Sequence, residues 1–311
     1  MKRIGLDFGV KQLPVIFAVF GIFLLSACDS NREPFGDTSN SGTIHISVDE
    51  SFKPVIDSQI QVFESQYPDA KIIVHYKPEA ECLRDLAVDS IRMVIVTRGL
   101  SDEEMALLKQ QLSYIPVFAP IAFDAIAVIV NNKVKDTLFT MEDIRSIAKG
   151  ISGYPYKMLL DGTTSTSTVR YVTDSLLKGQ PLSDNVVAAK NSEGVIDYVS
   201  NNTDAIGLIG VSWIGNKDDT TQLSFLKKVK IAQIECVKCS GTYVDPVQYN
   251  IATMRYPMVR KLFYILKENY NGLGSGFSNF LIYEKGQKIF YRAYLLPAKM
   301  PFYVRDMQIT E

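Results

Sequence analysis

Histidine is almost missing from this chain: His45 and His75 are the only two, too few for a metal centre built on several imidazoles. A surplus of one charge is missing as well. Lys plus Arg number 33 against 34 Asp plus Glu, a formal net charge of -1, so there is no basic footprint for a phosphate polymer and nucleic-acid binding is disfavoured. Complete catalytic signatures are also lacking. Gly210-Val211-Ser212-Trp213-Ile214-Gly215 misses the nucleophile elbow by one residue, and Ser175 to Lys178 with Ser183-Asp184-Asn185 lacks the Lys-Thr-Gly of the penicillin-recognising enzymes. There is no Gly-x-x-x-x-Gly-Lys-Ser/Thr loop, and Gly272, Gly274 and Gly276 follow a helical stretch rather than a strand, so a nucleotide cradle lacks its context. No cofactor and no enzymatic activity are expected.

Long apolar runs are scarce too. The longest opens the chain, Leu13 to Leu25 after Lys2, Arg3 and Lys11, and is shorter than the roughly 20 residues a spanning helix needs. Basic residues, an apolar core and small residues in that order make a secretory leader over residues 1–27; an uncleaved anchor is the other reading. Either places the remainder outside the cytoplasm. Leu25-Ser26-Ala27-Cys28 resembles the lipobox of bacterial lipoproteins, which implies that Cys28 is acylated and that the protein is held at a membrane of the cell envelope, facing the periplasm or the outside. Residues 28–42, with one aromatic and no aliphatic side chain, read as a flexible tether.

Three cysteines remain. Cys236-Val237-Lys238-Cys239 has half-zinc or redox spacing, but no second such pair exists and neither histidine is near it in sequence. In an exported chain a disulfide within the pair is the simpler outcome, and Cys82 is left over.

At roughly 150 residues per domain the length favours two domains. From Thr43 the pattern is β-α-β: strands over Thr43 to Val48 and Lys71 to Tyr76 flank a helix from Val55 to Tyr67. A helix over Glu81 to Asp89, a strand over Met93 to Thr97 and a helix over Asp102 to Leu112 follow, the last opened by a Ser101/Glu104 capping box. Ile115 to Ile121 and Ala125 to Val130 are two extended runs without a helix between them, which suggests a crossing between lobes. The second block predicts helices over Met141 to Ala148, Thr166 to Lys178 and Glu193 to Asn201, with strands over Ala205 to Ile209 and Val229 to Ile234. A strand over Val247 to Thr253 and helices over Tyr256 to Tyr270 and Phe277 to Tyr294 complete the expectation.

The densest polar signal is Asp161-Gly162 followed by six hydroxyls, Thr163, Thr164, Ser165, Thr166, Ser167 and Thr168, just before an apolar helical pattern with Arg170 in its first turn. Unpaired N–H groups at a helix start, short hydroxyls and a guanidinium would suit an anion. The plain alternative, one capping hydroxyl in a soluble loop, stays open.

Several segments taken in order resemble the phosphate-binding proteins of ABC importers. They are Val94 to Ser101 followed by Glu103-Glu104, Asp124 to Asn131, Asn201 to Gly207, Tyr256-Pro257, and Gly286-Gln287-Lys288 before Leu295-Leu296-Pro297. The resemblance spans most of Thr43 to Pro301. It implies an α/β, two-lobed type II periplasmic binding protein fold with two crossing hinge segments, lobe 1 from 43–122 and 246–311 and lobe 2 from 123–245. It also implies capture of phosphate or a similar oxyanion for the membrane subunits of an ABC importer, with Ser51, Phe52, Thr97, Arg98, the Thr164 to Thr168 run and Arg170 around the ligand.

Two departures stand out. Met158, Leu159 and Leu160 fill the stretch where those proteins carry an arginine, and Pro78-Glu79-Ala80-Glu81 replaces a Ser/Gly ligand loop. If the two glutamates line the cleft they oppose a phosphate; if they point outward they pair with Lys77 or Arg84. The first arrangement would suit an envelope component with a degenerate cleft that acts through protein partners.

Overall fold

The computed structural model describes residues 36–151, 153–162, 166–216 and 218–299. The expected leader, the acylation cysteine Cys28, and Thr163, Thr164 and Ser165 of the hydroxyl run lie outside these residues. Contacts divide the chain after Asp37, and the fold is that of the unit from Thr38 onward.

The first half alternates strand and helix: β1 (Gly42–Asp49), α1 (Lys53–Gln66), β2 (Ala70–Lys77), α2 (Glu79–Arg84), β3 (Ile91–Val96) and α3 (Asp102–Leu112). On β1 the even positions Ile44, Ile46 and Val48 are buried against α1, whose Val55, Ile56, Ile60 and Phe63 recur at helical spacing. Helix α3 opens on the expected capping box, with Ser101 Oγ accepting from the Glu104 N–H and Glu104 accepting from the Ser101 N–H.

The two extended runs are one strand, β4 (Val117–Asn131). Beyond it come β5 (Leu138–Phe139), α4 (Met141–Ala148), β6 (Lys157–Leu160), α5 (Ser167–Arg170), β7 (Val186–Ala188), α6 (Ser192–Asn201), β8 (Ala205–Gly210), α7 (Thr220–Leu226), β9 (Val229–Ile231), β10 (Gln233–Glu235) and β11 (Tyr243–Val244). The chain ends with α8 (Gln248–Ala252), β12 (Val259–Leu266), α9 (Leu273–Ile282), α10 (Glu284–Arg292) and β13 (Leu296–Pro297).

The main sheet runs β2-β1-β3-β12-β4-β8-β6-β7. Strands β1, β2 and β3 are parallel, and so are β6, β7 and β8, whereas β12 and β4 are antiparallel to their neighbours. Strand β4 belongs to both halves: its first part pairs with β12 and its second, from Ile126, with β8. Helices cover both halves, which form two lobes joined through β4 and the return chain before β12, and the largest buried apolar cluster runs through both, from Ile44 and Ile46 to Val128 and Met158.

Three expectations are corrected. Val247 to Thr253 forms the short helix α8 rather than a strand. The stretch Tyr256 to Tyr270 contains strand β12 rather than a helix, because it is clamped between β3 and β4, so Gly272, Gly274 and Gly276 follow a strand and not, as expected, a helix. The segment 229–234 divides into β9 and β10, which join different sheets. Beyond Arg170 the expected helix continues as a π-helical stretch from Tyr171 to Leu176. Cys236 and Cys239 form a disulfide, and Cys82 is buried and reduced. Among the described residues no helix is long and apolar enough to cross a membrane.

Candidate functional site

Parallel strands present their carboxyl ends to one crevice, and both lobes do so here. From the first lobe come Asp49 and Ser51 after β1, Glu79 after β2, and Thr97 after β3. From the second come Asp161 after β6, Ser192 after β7, and Val211 to Trp213 after β8. The turn after β1 is held by Asp49, whose Oδ1 accepts from the Ser51 N–H at 3.1 Å. Gly162, with φ of 138°, lets the chain reverse after Asp161 where a Cβ would be strained.

Two carboxylates sit where these ends meet. Asp161 is fully buried and accepts four hydroxyls: Ser51 at 3.0 Å from the opposite lobe, Thr166 at 3.0 Å, and Thr168 and Ser192 at 3.3 Å each. Glu79, also buried, accepts from the Thr97 N–H at 2.7 Å and the Thr97 hydroxyl at 2.5 Å. It accepts as well from Arg170 Nε at 2.5 Å and Nη2 at 3.3 Å, across the lobes. Arg170 Nη2 also donates to the Thr97 hydroxyl at 2.6 Å. Burial pushes the Glu79 carboxyl up, but the Arg170 guanidinium and the Thr97 donors outweigh it and hold the group below its ordinary value.

A third cluster centres on Arg260 of β12. Its Nε donates to Asp124 Oδ2 at 2.9 Å, its Nη1 to the hydroxyls of Ser167 at 2.7 Å and Thr168 at 3.2 Å, and its guanidinium lies 4.8 Å from the centre of the Phe52 ring. Desolvation works against the charge on Arg260, yet Asp124, Asp49 and Asp161 keep its affinity for the proton above the ordinary value. Asp49 is pushed up to about 7 by burial and by the neighbouring Glu79 carboxylate. Burial likewise raises Asp124 against the pull of Arg260.

Of the residues singled out in the sequence, Ser51, Thr97, Thr166, Ser167, Thr168 and Arg170 converge on this crevice. Phe52 packs beneath Arg260. Arg98 lines the mouth, but Glu104 takes its guanidinium in a two-pronged pair, 2.7 Å on each side. The two glutamates part company: Glu79 turns inward, while Glu81 pairs at 3.8 Å with Arg84 on the surface. Lys77 is taken by Asp85 at 2.7 Å.

Sequence reasoning missed Asp49, Asp124, Ser192 and Arg260 as parts of the site, and took Asp161 only as the head of the hydroxyl run. A signal existed for one pair. Asp124 interrupts the apolar run of β4 and Arg260 that of β12, and a lone charge in a buried strand requires a partner. The register sets them opposite one another.

Two cavities adjoin the crevice, about 340 Å³ and about 290 Å³, and both are lined by Arg98 and Arg170. A larger cavity of about 470 Å³ lies elsewhere, around Tyr67, Phe280 and Tyr283. It contains no convergent set of buried charges, so the crevice is the stronger candidate. No three His, Cys, Asp or Glu side chains among the described residues are grouped to hold a metal ion.

The model of a PBP superfamily domain matches residues 34–285. The chain belongs to that superfamily. Among solved structures, a putative phosphate ABC transporter substrate-binding protein from Clostridium perfringens, with bound phosphate, superposes with a TM-score of 0.68 at 20% identity, covering 83% of this chain and 100% of that one. An ABC-type phosphate transport receptor from Vibrio cholerae gives 0.60 at 22% identity, over 82% and 100%. The regulatory domain of a LysR family regulator from Neisseria meningitidis gives 0.53 at 13%, over 82% and 98%. These likenesses show a shared two-lobed fold. They include proteins described in different roles, so function has to be argued from the crevice itself. No curated protein matches the chain.

Proposed function

We propose that the protein is a non-enzymatic, lipid-anchored receptor of the cell envelope that captures a small oxyanion between its lobes, phosphate first, for the membrane subunits of an ABC importer. Acylation at Cys28 would supply the anchor. In this reading the lobes comprise residues 43–122 with 246–311 and residues 123–245, and the cleft closes between them on the ligand.

One observation carries this reading: both lobes deliver hydroxyl, amide and guanidinium donors to one buried place, where the carboxylates of Glu79 and Asp161 accept them. Ser51, Thr97, Thr166, Ser167, Thr168 and Arg170 form a donor set of the kind that desolvates an oxyanion. Two of the solved structures with this fold are described as phosphate proteins, which supports phosphate as the first solute to test.

A second reading rests on the same carboxylates. Asp49, Glu79, Asp124 and Asp161 face only Arg170 and Arg260 inside the crevice, so an arriving dianion meets net negative charge and donors already in use. A cleft filled by its own side chains suits a component that acts through protein partners. Calorimetry on the mature chain with phosphate and with sulfate separates the two. Saturable heat with phosphate supports the receptor; no heat at micromolar protein refutes it and leaves the partner role.

A further inference from the structure

Glu79 occupies its position as a ligand would. Its carboxylate is planar, desolvated and met by four donors: the Thr97 N–H and hydroxyl from its own lobe, and Arg170 Nε and Nη2 from the other. The Glu79 side chain is 2% exposed whereas that of Arg170 is 37% exposed, so water and solutes reach the guanidinium but not its partner. Arg98 is paired inside its own lobe with Glu104, and Arg260 with Asp124 on the strand next to its own. The Glu79–Arg170 pair crosses between lobes. Cavities of about 340 Å³ and 290 Å³ beside it share Arg170 as a wall, which leaves room for a small anion to reach the guanidinium and for the glutamate to withdraw.

We propose that Glu79 is the selectivity-determining residue of this cleft, a tethered carboxylate that occupies the anion position between Thr97 and Arg170 and that a free small oxyanion has to displace. This rests on the oxyanion-receptor reading and adds to it a built-in competitor. A group fixed to the chain competes at high effective concentration, so only solutes that bind the freed position tightly enough displace it and weak binders are excluded. Apparent affinity falls by the fraction of molecules in which the position is free. If Glu79 fills the position in nine molecules of ten or more, removing it tightens binding by about tenfold or more.

The test titrates inorganic phosphate and acetate into the mature protein, into Glu79→Ala and Glu79→Gln, and into the Glu79→Ala/Arg170→Ala double variant. Circular dichroism checks the fold of each. Both single variants are expected to bind one or both anions at least about tenfold more tightly than the unaltered protein, and the double variant is expected to lose that gain. A built-in reporter exists: Trp213, the chain's single tryptophan, donates Nε1–H to the Ser51 carbonyl at 2.8 Å across the lobes. Its emission should shift to the red in the anion-free single variants and return on adding anion.

Affinity in both single variants that is equal to or weaker than that of the unaltered protein overturns the proposal. So does loss of the fold in both, which would make Glu79 a structural residue. The unaltered protein reports separately on the receptor reading. Phosphate binding there without a gain in the variants sinks only the competitor; binding in the variants alone sinks only the claim that the native cleft captures phosphate.

Discussion

Arg260→Met is the substitution whose cost the structure defines best. The guanidinium is 6% exposed, and its partner Asp124 is fully buried. Methionine keeps much of the volume above Phe52 but leaves the Asp124 carboxylate without a counter-charge and removes the bonds to Ser167 and Thr168. Breaking a buried pair from one side costs about 3–5 kcal/mol, because the remaining charge cannot reach water. For a chain of this size each kcal/mol moves the melting temperature by about 2–4 °C, so a fall of about 6–20 °C is expected by calorimetry or circular dichroism.

Adding Asp124→Asn removes the stranded charge and should return about half of the loss. A loss below about 1 kcal/mol in Arg260→Met, or a double variant no more stable than the single one, would refute the assignment of Arg260 as the buried counter-charge.

Acidification supplies a second check. Burial raises both Asp49 and Glu50 to about 7. Between about pH 4 and pH 7 the folded chain therefore holds protons that the unfolded chain has released; this contribution is full below the ordinary carboxylate values and is lost as the pH rises through about 7. The melting temperature should rise when the buffer is taken from pH 8 to pH 5, with a smaller rise in Asp49→Asn, and a flat profile would contradict it. Glu104, held near 2 first by Arg98, loses its contribution only as the pH falls towards that value, outside this window. A third check is Gly207→Ala. A Cβ there would lie 2.5 Å from Val195 Cγ1 and 2.9 Å from Ile129 Cγ1, so the variant should lose about 1–3 kcal/mol, read as a lower urea midpoint at unchanged slope.

Local pattern carried the outer parts of the fold. The periodicity of α1, the alternation of β1 and the capping box of α3 are written in consecutive residues, and the structure repeats them almost to the residue. Strand β12 was illegible for the opposite reason. Leu262, Phe263, Ile265 and Leu266 fit a helical stripe as well as a doubly buried strand, and only pairing with β3 and β4, more than a hundred residues away in sequence, decides between them. Helix α8 is the converse: Val247 to Thr253 is an apolar run too short for its period to be read. The crevice was half legible. Hydroxyls bunched before a helix announce themselves, whereas the meeting of Asp161 with Ser51 and of Glu79 with Arg170 depends on how the lobes face each other, and no window of sequence contains that.

The contacts across the cleft also bound what a ligand must supply. The hydrogen bonds that cross between the lobes among the described residues include seven at the crevice: two from Arg170 to Glu79, one from Arg170 to Thr97, Ser51 with Asp161, Arg260 with Ser167 and with Thr168, and Trp213 with the Ser51 carbonyl. At about 0.5–1.5 kcal/mol net apiece these would favour closure by roughly 3.5–10 kcal/mol before any solute arrives. Even the lower figure leaves the open state under about 1% populated. A solute held at micromolar strength contributes about 8 kcal/mol, the same order as the closure that the chain makes alone. Capture therefore turns on what the solute replaces rather than on closure as such. The bonds of Arg260 come from a side chain 4% exposed within a buried ion pair and are costly to exchange, whereas the Arg170 side chain is 37% exposed and lines both cavities, of which Arg260 lines one. Exchange of an external oxyanion for Glu79 is the step at which this cleft would accept or refuse its ligand.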